Sequence, residues 1–335
     1  MHLKPSLKIF VCEFITAGGL NRVDLPASFA FEGMMMRDAL LKDLSMLPNI
    51  KVITTHDSRL SPPLIDSVPI SAQDEVYIIW QNLLQSCDVA FIIAPETNRQ
   101  LTDLVALVNR CQVLHLGASL DAIKVASSKY QTSLQLAKAS INVVPTYTMD
   151  EWSDKGIENQ AGWVLKPDDG AGCASTVYFK NRVDVEQYLT HQASTRVIQP
   201  YILGIPASIS MLCKNGKAWI LSCNLQKIEL ADMQFIYRGS IVNGLLANTA
   251  RFAKISTQIA QAIPGLAGYI GVDVLVSDDV VTILEINPRL TTSFVGLHQS
   301  LGINPSKLIL DLFLEENFKM PLFNFVNSPV VEITV

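Results

Sequence analysis

A chain of 335 residues with 49% hydrophobic and 17% charged side chains carries enough apolar material for two or three packed units. Lys+Arg 26 against Asp+Glu 31 leaves a net charge of −5 without a clustered basic run, which argues against nucleic acid as the main partner. Pro5, Lys8 and Glu13 interrupt any apolar signal core, and no window reaches ~18 uninterrupted apolar residues, so no membrane partner is expected. Cys12, Cys87, Cys111, Cys173, Cys213 and Cys223 form no C-x-x-C pair and no Cys/His cluster, which fits reduced thiols in a cytoplasmic protein.

The first part alternates strand and helix. Residues 8–14 (KIFVCEF) read as a short apolar strand before a Gly-Gly turn. Residues 32–47 place Met36, Leu40, Leu44 and Leu47 at helical spacing with Arg37, Asp38, Lys42 and Asp43 opposite. Met34-Met35-Met36 within it reads as core packing. Strands follow at 50–54, 88–94 (DVAFIIA) and 113–116, and helices at 74–84 and 101–110. Nearly all-apolar strands in such an alternation predict a parallel sheet covered on both faces.

The middle and last parts read differently. Helices are expected at 120–126 and 129–139, the second capped by Ser128. A strand at 163–167 (WVLKP) enters a glycine-rich turn, the strand 176–179 returns, and 184–192 reads as helical. Strands 208–212 and 217–223 flank Asn215-Gly216, a type I′ hairpin signal. A helix at 252–263, paired strands at 268–276 and 280–286 across 277–279, and a helix at 307–318 complete the chain.

Two constellations carry chemistry. Lys166-Pro167-Asp168-Asp169-Gly170-Ala171-Gly172 places a lysine just before a flexible loop, where glycines let backbone N–H groups approach phosphates. A strand, not a helix, follows, so neither a dinucleotide fingerprint nor a Walker loop is present. The second is ILEINPRL at 283–290, a buried-type strand carrying Glu285, Asn287 and Arg289 at alternate positions. Asp273 lies on the apolar strand GYIGVDVLV that pairs with it, so three oxygen-bearing side chains converge. Hard divalent cations prefer such ligands, and Mg²⁺ usually bridges one or two carboxylates to phosphates. A buried ion pair of Arg289 with Asp273 or Glu285 is the alternative reading. No Ser/His/Asp or Cys/His arrangement is recognisable; the histidines are scattered, and His298 is the one closest in sequence to the metal strand.

Lysine with a glycine flap, then an apolar strand bearing Asp, then Glu-x-Asn-Pro-Arg, resembles the ATP-grasp superfamily over roughly residues 117–295. The resemblance implies an α/β N-terminal Rossmann-like domain followed by an α+β ATP-grasp domain of two lobes, divided as 1–117, 118–197 and 198–335. It implies ATP phosphates on Lys129 and Lys166, a flap of Gly170, Ala171 and Gly172, and adenine against Gln199 and the Tyr201–Ile202 backbone. Mg²⁺, or Mn²⁺ in its place, is implied on Asp273, Glu285 and Asn287, and an acyl phosphate on Arg289, with Lys166 and Arg289 as the catalytic pair. Gln199 departs from the family's usual acid, and Ala207-Ser208 stand where an acid usually follows Gly204, which leaves the ribose contacts open.

The stretch Val11–Cys12–Glu13–Phe14–Ile15–Thr16–Ala17–Gly18–Gly19–Leu20, with Phe31-Glu32-Gly33-Met34, resembles ATP-grasp proteins of the tyramine–L-glutamate ligase type. That implies an ADP-forming ligase joining glutamate to an aryl-alkyl amine for a methanofuran-type cofactor, with small-molecule carboxylate and amine as partners and a homodimer as the expected assembly. Thr16, Gly18, Tyr237, Arg238 and Ser293 are the expected acceptor-pocket residues. Another ATP-grasp ligase, a carboxylase of the purine-pathway kind, and a non-catalytic nucleotide-binding module are the alternatives.

Overall fold

The structure is a computed structural model and describes residues 6–170, 172–189, 196–278, 280–322 and 328–335. Ala171, His2, His191, Asp279 and the last three residues of the helix expected at 184–192 lie outside the described residues.

Five strands, β1 (Leu7–Glu13), β2 (Ile50–Asp57), β3 (Val68–Ile70), β4 (Val89–Ile93) and β5 (Leu114–His115), form a parallel sheet in the order β3-β2-β1-β4-β5. β4 is buried at every residue, as a strand covered on both faces must be. The helices α1 (Ala27–Ser45), α2 (Val76–Leu84) and α3 (Gln100–Arg110) connect these strands. α1 begins earlier than its apolar spacing suggests, because Pro26, with its fixed φ of −61°, stands at the N-cap.

Helices α4 (Leu120–Ala126) and α5 (Lys129–Lys138) lead out of this unit. The Ser128 hydroxyl accepts the Gln131 N–H at 3.0 Å, so the expected cap is present. Helix α6 (Met149–Lys155) was missed, although Thr148 and Glu151 form the reciprocal capping box that T-x-x-E announces. Strands β6 (Trp163–Pro167), β7 (Val177–Phe179) and β8 (Arg196–Pro200), with α7 (Arg182–Leu189), make a small lobe packed on Trp152, Trp163, Leu165 and Ile198.

Strands β9 (Ile205–Lys214), β10 (Lys217–Ala231), β11 (Gln234–Val242), β12 (Gly268–Ser277), β13 (Val280–Asn287) and β14 (Val331–Thr334), with α8 (Thr249–Ala262), α9 (Leu297–Leu301) and α10 (Pro305–Leu314), form the larger lobe. Asn215 and Gly216 both take positive φ, 51° and 73°, as the turn chemistry requires. The two lobes share one sheet in the order β13-β12-β9-β10-β11-β7-β6-β8, with β14 on β11. A single register pair, Gln234 with Val177, joins them. The last helix ends at Leu314, four residues short of the sequence expectation, and begins at Pro305 on an Asn304 cap.

Candidate active site

On β12, Val272, Val274 and Val276 are buried in the core, while Asp273 and Leu275 line a cleft. On β13 the opening residues Val281 and Ile283 also lie in the core, paired with Val276 and Val274. Leu284 is an extra residue between the pairs Val274–Ile283 and Asp273–Glu285. A bulge of this kind reverses which face the following residues take. Ile286 therefore enters the core, and Glu285 and Asn287 turn to the cleft beside Asp273. Gly271 sits opposite Asn287, and a Cβ there would meet the Thr291 methyl at 2.6 Å.

The charges around this pair are arranged against one another. Lys129 Nζ lies 3.2 Å and Lys166 Nζ 3.8 Å from the same Glu285 oxygen. Burial would raise the Glu285 carboxyl, but the two ammonium groups outweigh it and hold the group low. At Asp273 burial, then the Glu285 charge, push the carboxyl up. Gln226 donates to one Asp273 oxygen at 2.8 Å and Asn287 to the other at 3.2 Å. Burial also lowers the Lys166 ammonium, against the pull of Glu285. Two half-buried carboxylates on one register pair repel unless a cation stands between them, so this donor set suits a hard divalent ion. Among the described residues no group of three or more His, Cys, Asp or Glu surrounds such a position. Asp273, Glu285 and the Asn287 oxygen would therefore share the ion with phosphate oxygens.

Gly170 and Gly172 line the same cleft as these charged groups. Lys129 Nζ donates to the Gly170 carbonyl at 2.6 Å, and the Asp168 carboxylate accepts the Tyr130 N–H at 2.9 Å. Asp169 is tied to the N-terminal unit, its carboxylate accepting the Asn98 N–H at 2.9 Å and its carbonyl the Thr97 hydroxyl at 3.0 Å. Gly172 has φ +63° and open space around it. Cys173 follows in the same left-handed region with its thiol pushed up to about 12, first by burial.

Gln199 is buried and gives its amide N–H to the Thr146 hydroxyl at 2.8 Å, leaving its oxygen free to accept from a ligand. The Tyr201 N–H is committed to the Gly162 carbonyl at 2.8 Å, which narrows the expected hinge contact to the Ile202 backbone. Both residues line the cleft, whose volume is about 600 Å³.

Arg289 does not pair with Asp273 or Glu285, as the alternative reading held. Its Nε and Nη2 donate to Glu96 at 2.8–3.1 Å. Glu96 follows the carboxyl end of β4, where parallel sheets collect their ligand sites, and that position is the signal that would have found it. Three of the expected acceptor-pocket residues need correction. Thr16 is fully buried, donating its N–H to Glu13 at 2.8 Å, and does not line the cleft. Gly18 faces Ile70, where its φ of +98° and a 2.6 Å approach leave no room for a side chain. Arg238 is exposed and pairs with Glu229 at 2.9 Å. Tyr237 and Ser293 do line the cleft, held by Thr292 at 2.6 Å and Ser240 at 3.1 Å. His298 sits away from the cleft, 2.5 Å from the buried Asp43.

The comparisons agree with this geometry. The ATP-grasp domain profile matches residues 126–293 and the pre ATP-grasp 3 domain profile residues 50–123. A tyramine–L-glutamate ligase of Methanocaldococcus jannaschii is 29% identical over 274 residues, covering 79% of this chain and 78% of its own. An ATP-grasp superfamily protein of Archaeoglobus fulgidus superposes with a TM-score of 0.71 at 24% identity, over 91% of this chain and 88% of that one. The N5-carboxyaminoimidazole synthetase of Staphylococcus aureus, complexed with ADP, gives 0.68 at 20% identity, over 95% and 79%. The ATP-grasp domain profile spans half of the sequence, and this chain belongs to the ATP-grasp family.

Proposed function

We propose that the protein is an ATP- and Mg²⁺-dependent, ADP-forming carboxylate–amine ligase, joining L-glutamate through its side-chain carboxylate to tyramine or a related amine in methanofuran-type cofactor synthesis. The observation that carries it is the convergence of Lys129, Lys166, Asp273, Glu285, Asn287 and Arg289 on one cleft that also reaches the N-terminal unit. The similarity to a tyramine–L-glutamate ligase over most of both chains supports the substrate assignment. We assign residues 1–117 to a Rossmann-like lobe that supplies one wall, 118–197 to the flap lobe and 198–335 to the metal-bearing lobe.

In this reading Lys129 and Lys166 neutralise the triphosphate, and the segment at Gly170 and Gly172 covers it. The cation held by Asp273, Glu285 and Asn287 would supply charge neutralisation at the transferring phosphoryl group. A carboxylate oxygen of the acid attacks the γ-phosphorus, the bond to the β,γ-bridging oxygen breaks, and ADP leaves. The acceptor's ammonium group gives one proton to solvent to become the neutral amine, whose nitrogen attacks the acyl carbon and loses a second proton as the C–O bond to phosphate breaks. Arg289, aimed by Glu96, faces the anionic acyl phosphate. Catalysis of this kind rests on positioning and fixed charge, with no side-chain nucleophile.

The test is ADP release from MgATP with L-glutamate, with and without tyramine, and the product identified by mass. Release that needs both substrates, with an amide formed, is the expected result. Release that needs bicarbonate instead would establish a carboxylase, and ATP binding without turnover under any acid–amine pair would reduce the protein to a nucleotide-binding module.

A further inference from the structure

Helix α1 presents one stripe to the cleft: Phe29, Glu32, Gly33 and Met36, spaced as neighbours on one helix face. The charged lining is divided unevenly. Lys129 and Lys166 stand at the nucleotide end, whereas the N-terminal unit contributes Glu13, Asp24 and Glu32, and no described lysine or arginine of that unit lines the cleft. Glu13 is satisfied, its two oxygens accepting the Thr16 N–H at 2.8 Å and the Ile15 N–H at 3.4 Å. Asp24 is exposed. Glu32 is half-buried and has no hydrogen bond or ion pair among the described residues. The nearby cation, Arg289, lies close enough for its charge to act on Glu32, yet its guanidinium is already taken by Glu96. The charge of Glu32 also reaches Tyr237 on the opposite wall.

A half-buried carboxylate without a partner costs free energy until a cation arrives. We infer that Glu32 is the counter-ion for the ammonium group of the acceptor amine, whose apolar body lies along Phe29, Met36, Ile15 and Leu20. The inference rests on the ligase reading above and adds the acceptor's binding site to it. The α-ammonium of the amino-acid donor offers the same chemistry, but that donor also carries an α-carboxylate, which Glu13, Asp24 and Glu32 would repel. An aryl-alkylammonium ion brings a positive head and an apolar body, matching both features of this wall.

The experiment compares wild type with Glu32→Gln and Glu32→Asp. Steady-state rates are measured against each substrate, and tyramine is titrated calorimetrically into enzyme holding Mg²⁺ and a non-hydrolysable ATP analogue. Loss of one charge-assisted hydrogen bond should raise KM for tyramine, and weaken its calorimetric binding, by roughly 10- to 100-fold in the Gln variant. KM for glutamate should stay within about twofold, and Asp should restore part of the amine affinity. Equal tyramine binding in wild type and Gln variant, or no binding to either, overturns the inference; so does a rise confined to KM for glutamate, which would move Glu32 to the donor. If wild type releases no ADP with glutamate and tyramine, the ligase reading with these substrates fails, and the calorimetric comparison still decides the role of Glu32.

Discussion

Replacing Glu96 with alanine strips Arg289 of its one hydrogen-bonded counter-ion and leaves a largely buried guanidinium among anions, Glu32, Asp273 and Glu285, that act on it only through space. The two side chains are only 5% and 11% exposed, so little water reaches the pair in the intact protein. Three N···O contacts of 2.8–3.1 Å disappear together, and only the Leu290 carbonyl at 3.2 Å remains. Removing one partner of a buried pair costs about 3–5 kcal/mol, mostly because the other charge stays buried. Removing both leaves no orphan charge, so Glu96→Ala/Arg289→Met should be more stable than Glu96→Ala alone, with a coupling energy above about 2 kcal/mol. Urea unfolding of the wild type, both single variants and the double variant measures this cycle directly. The single Glu96 variant should also lose kcat, because a released Arg289 is drawn toward the Asp273 and Glu285 charges that already act on it. A loss below about 1 kcal/mol in Glu96→Ala, or additive effects in the cycle, would refute the view that Glu96 fixes the arginine.

Three further outcomes follow from the same geometry. Gly33→Ala sets helix propensity, a gain of about 1 kcal/mol, against a new Cβ. That Cβ would sit 2.6 Å from the Glu13 carboxylate, which the Thr16 N–H pins in place. Overpacking of about 1–3 kcal/mol should win, so the variant should melt below wild type; a higher melting temperature would show that Glu13 retreats freely. Glu285→Gln should abolish Mg²⁺-dependent ADP release and lower the melting temperature, because it leaves the Lys129 and Lys166 ammonium groups without their shared carboxylate, while the far-ultraviolet circular dichroism at 25 °C stays that of wild type. Full activity in that variant would remove Glu285 from the metal assignment. His115 tests burial through pH: its imidazole is held down at about 4, chiefly by burial, against 6.5 in the unfolded chain. The unfolded state then binds more protons between those values, so stability is complete above pH ~6.5 and falls as pH drops toward ~4. The full shift corresponds to about 3.4 kcal/mol, and the residue's partial exposure brings the expected loss to about 2 kcal/mol. His115→Phe should flatten that part of the stability–pH curve, and an unchanged slope would place the proton uptake elsewhere.

Apolar strands and periodic helices were legible because burial dictates their side chains directly. The run VAFII, short and β-branched, reads as a strand covered on both faces, and β4 is one. Strand β11 was not legible, because Gln234 and Arg238 lie on an exposed, twisted stretch whose partners come from β10, β7 and β14. The site shows the same division. Asp273, Glu285 and Asn287 stood out as polar residues in apolar surroundings, and the structure does bring them together. Strict alternation along VVTILEIN nevertheless puts Glu285 on the face of Ile283, which is fully buried. Only the extra residue at Leu284 turns the acid to the cleft, and nothing in the sequence marks it, since a leucine fits a strand and a bulge equally well. The partner of Arg289 was hidden for a different reason. Glu96 lies 193 residues away and locally reads as one more surface acid after a strand. Its meaning comes from the packing of the N-terminal unit against the β13 end, which buries it and makes it the anion that orients the arginine. A chemically odd residue can thus be found from its own neighbourhood, but its charge partner belongs to the tertiary fold.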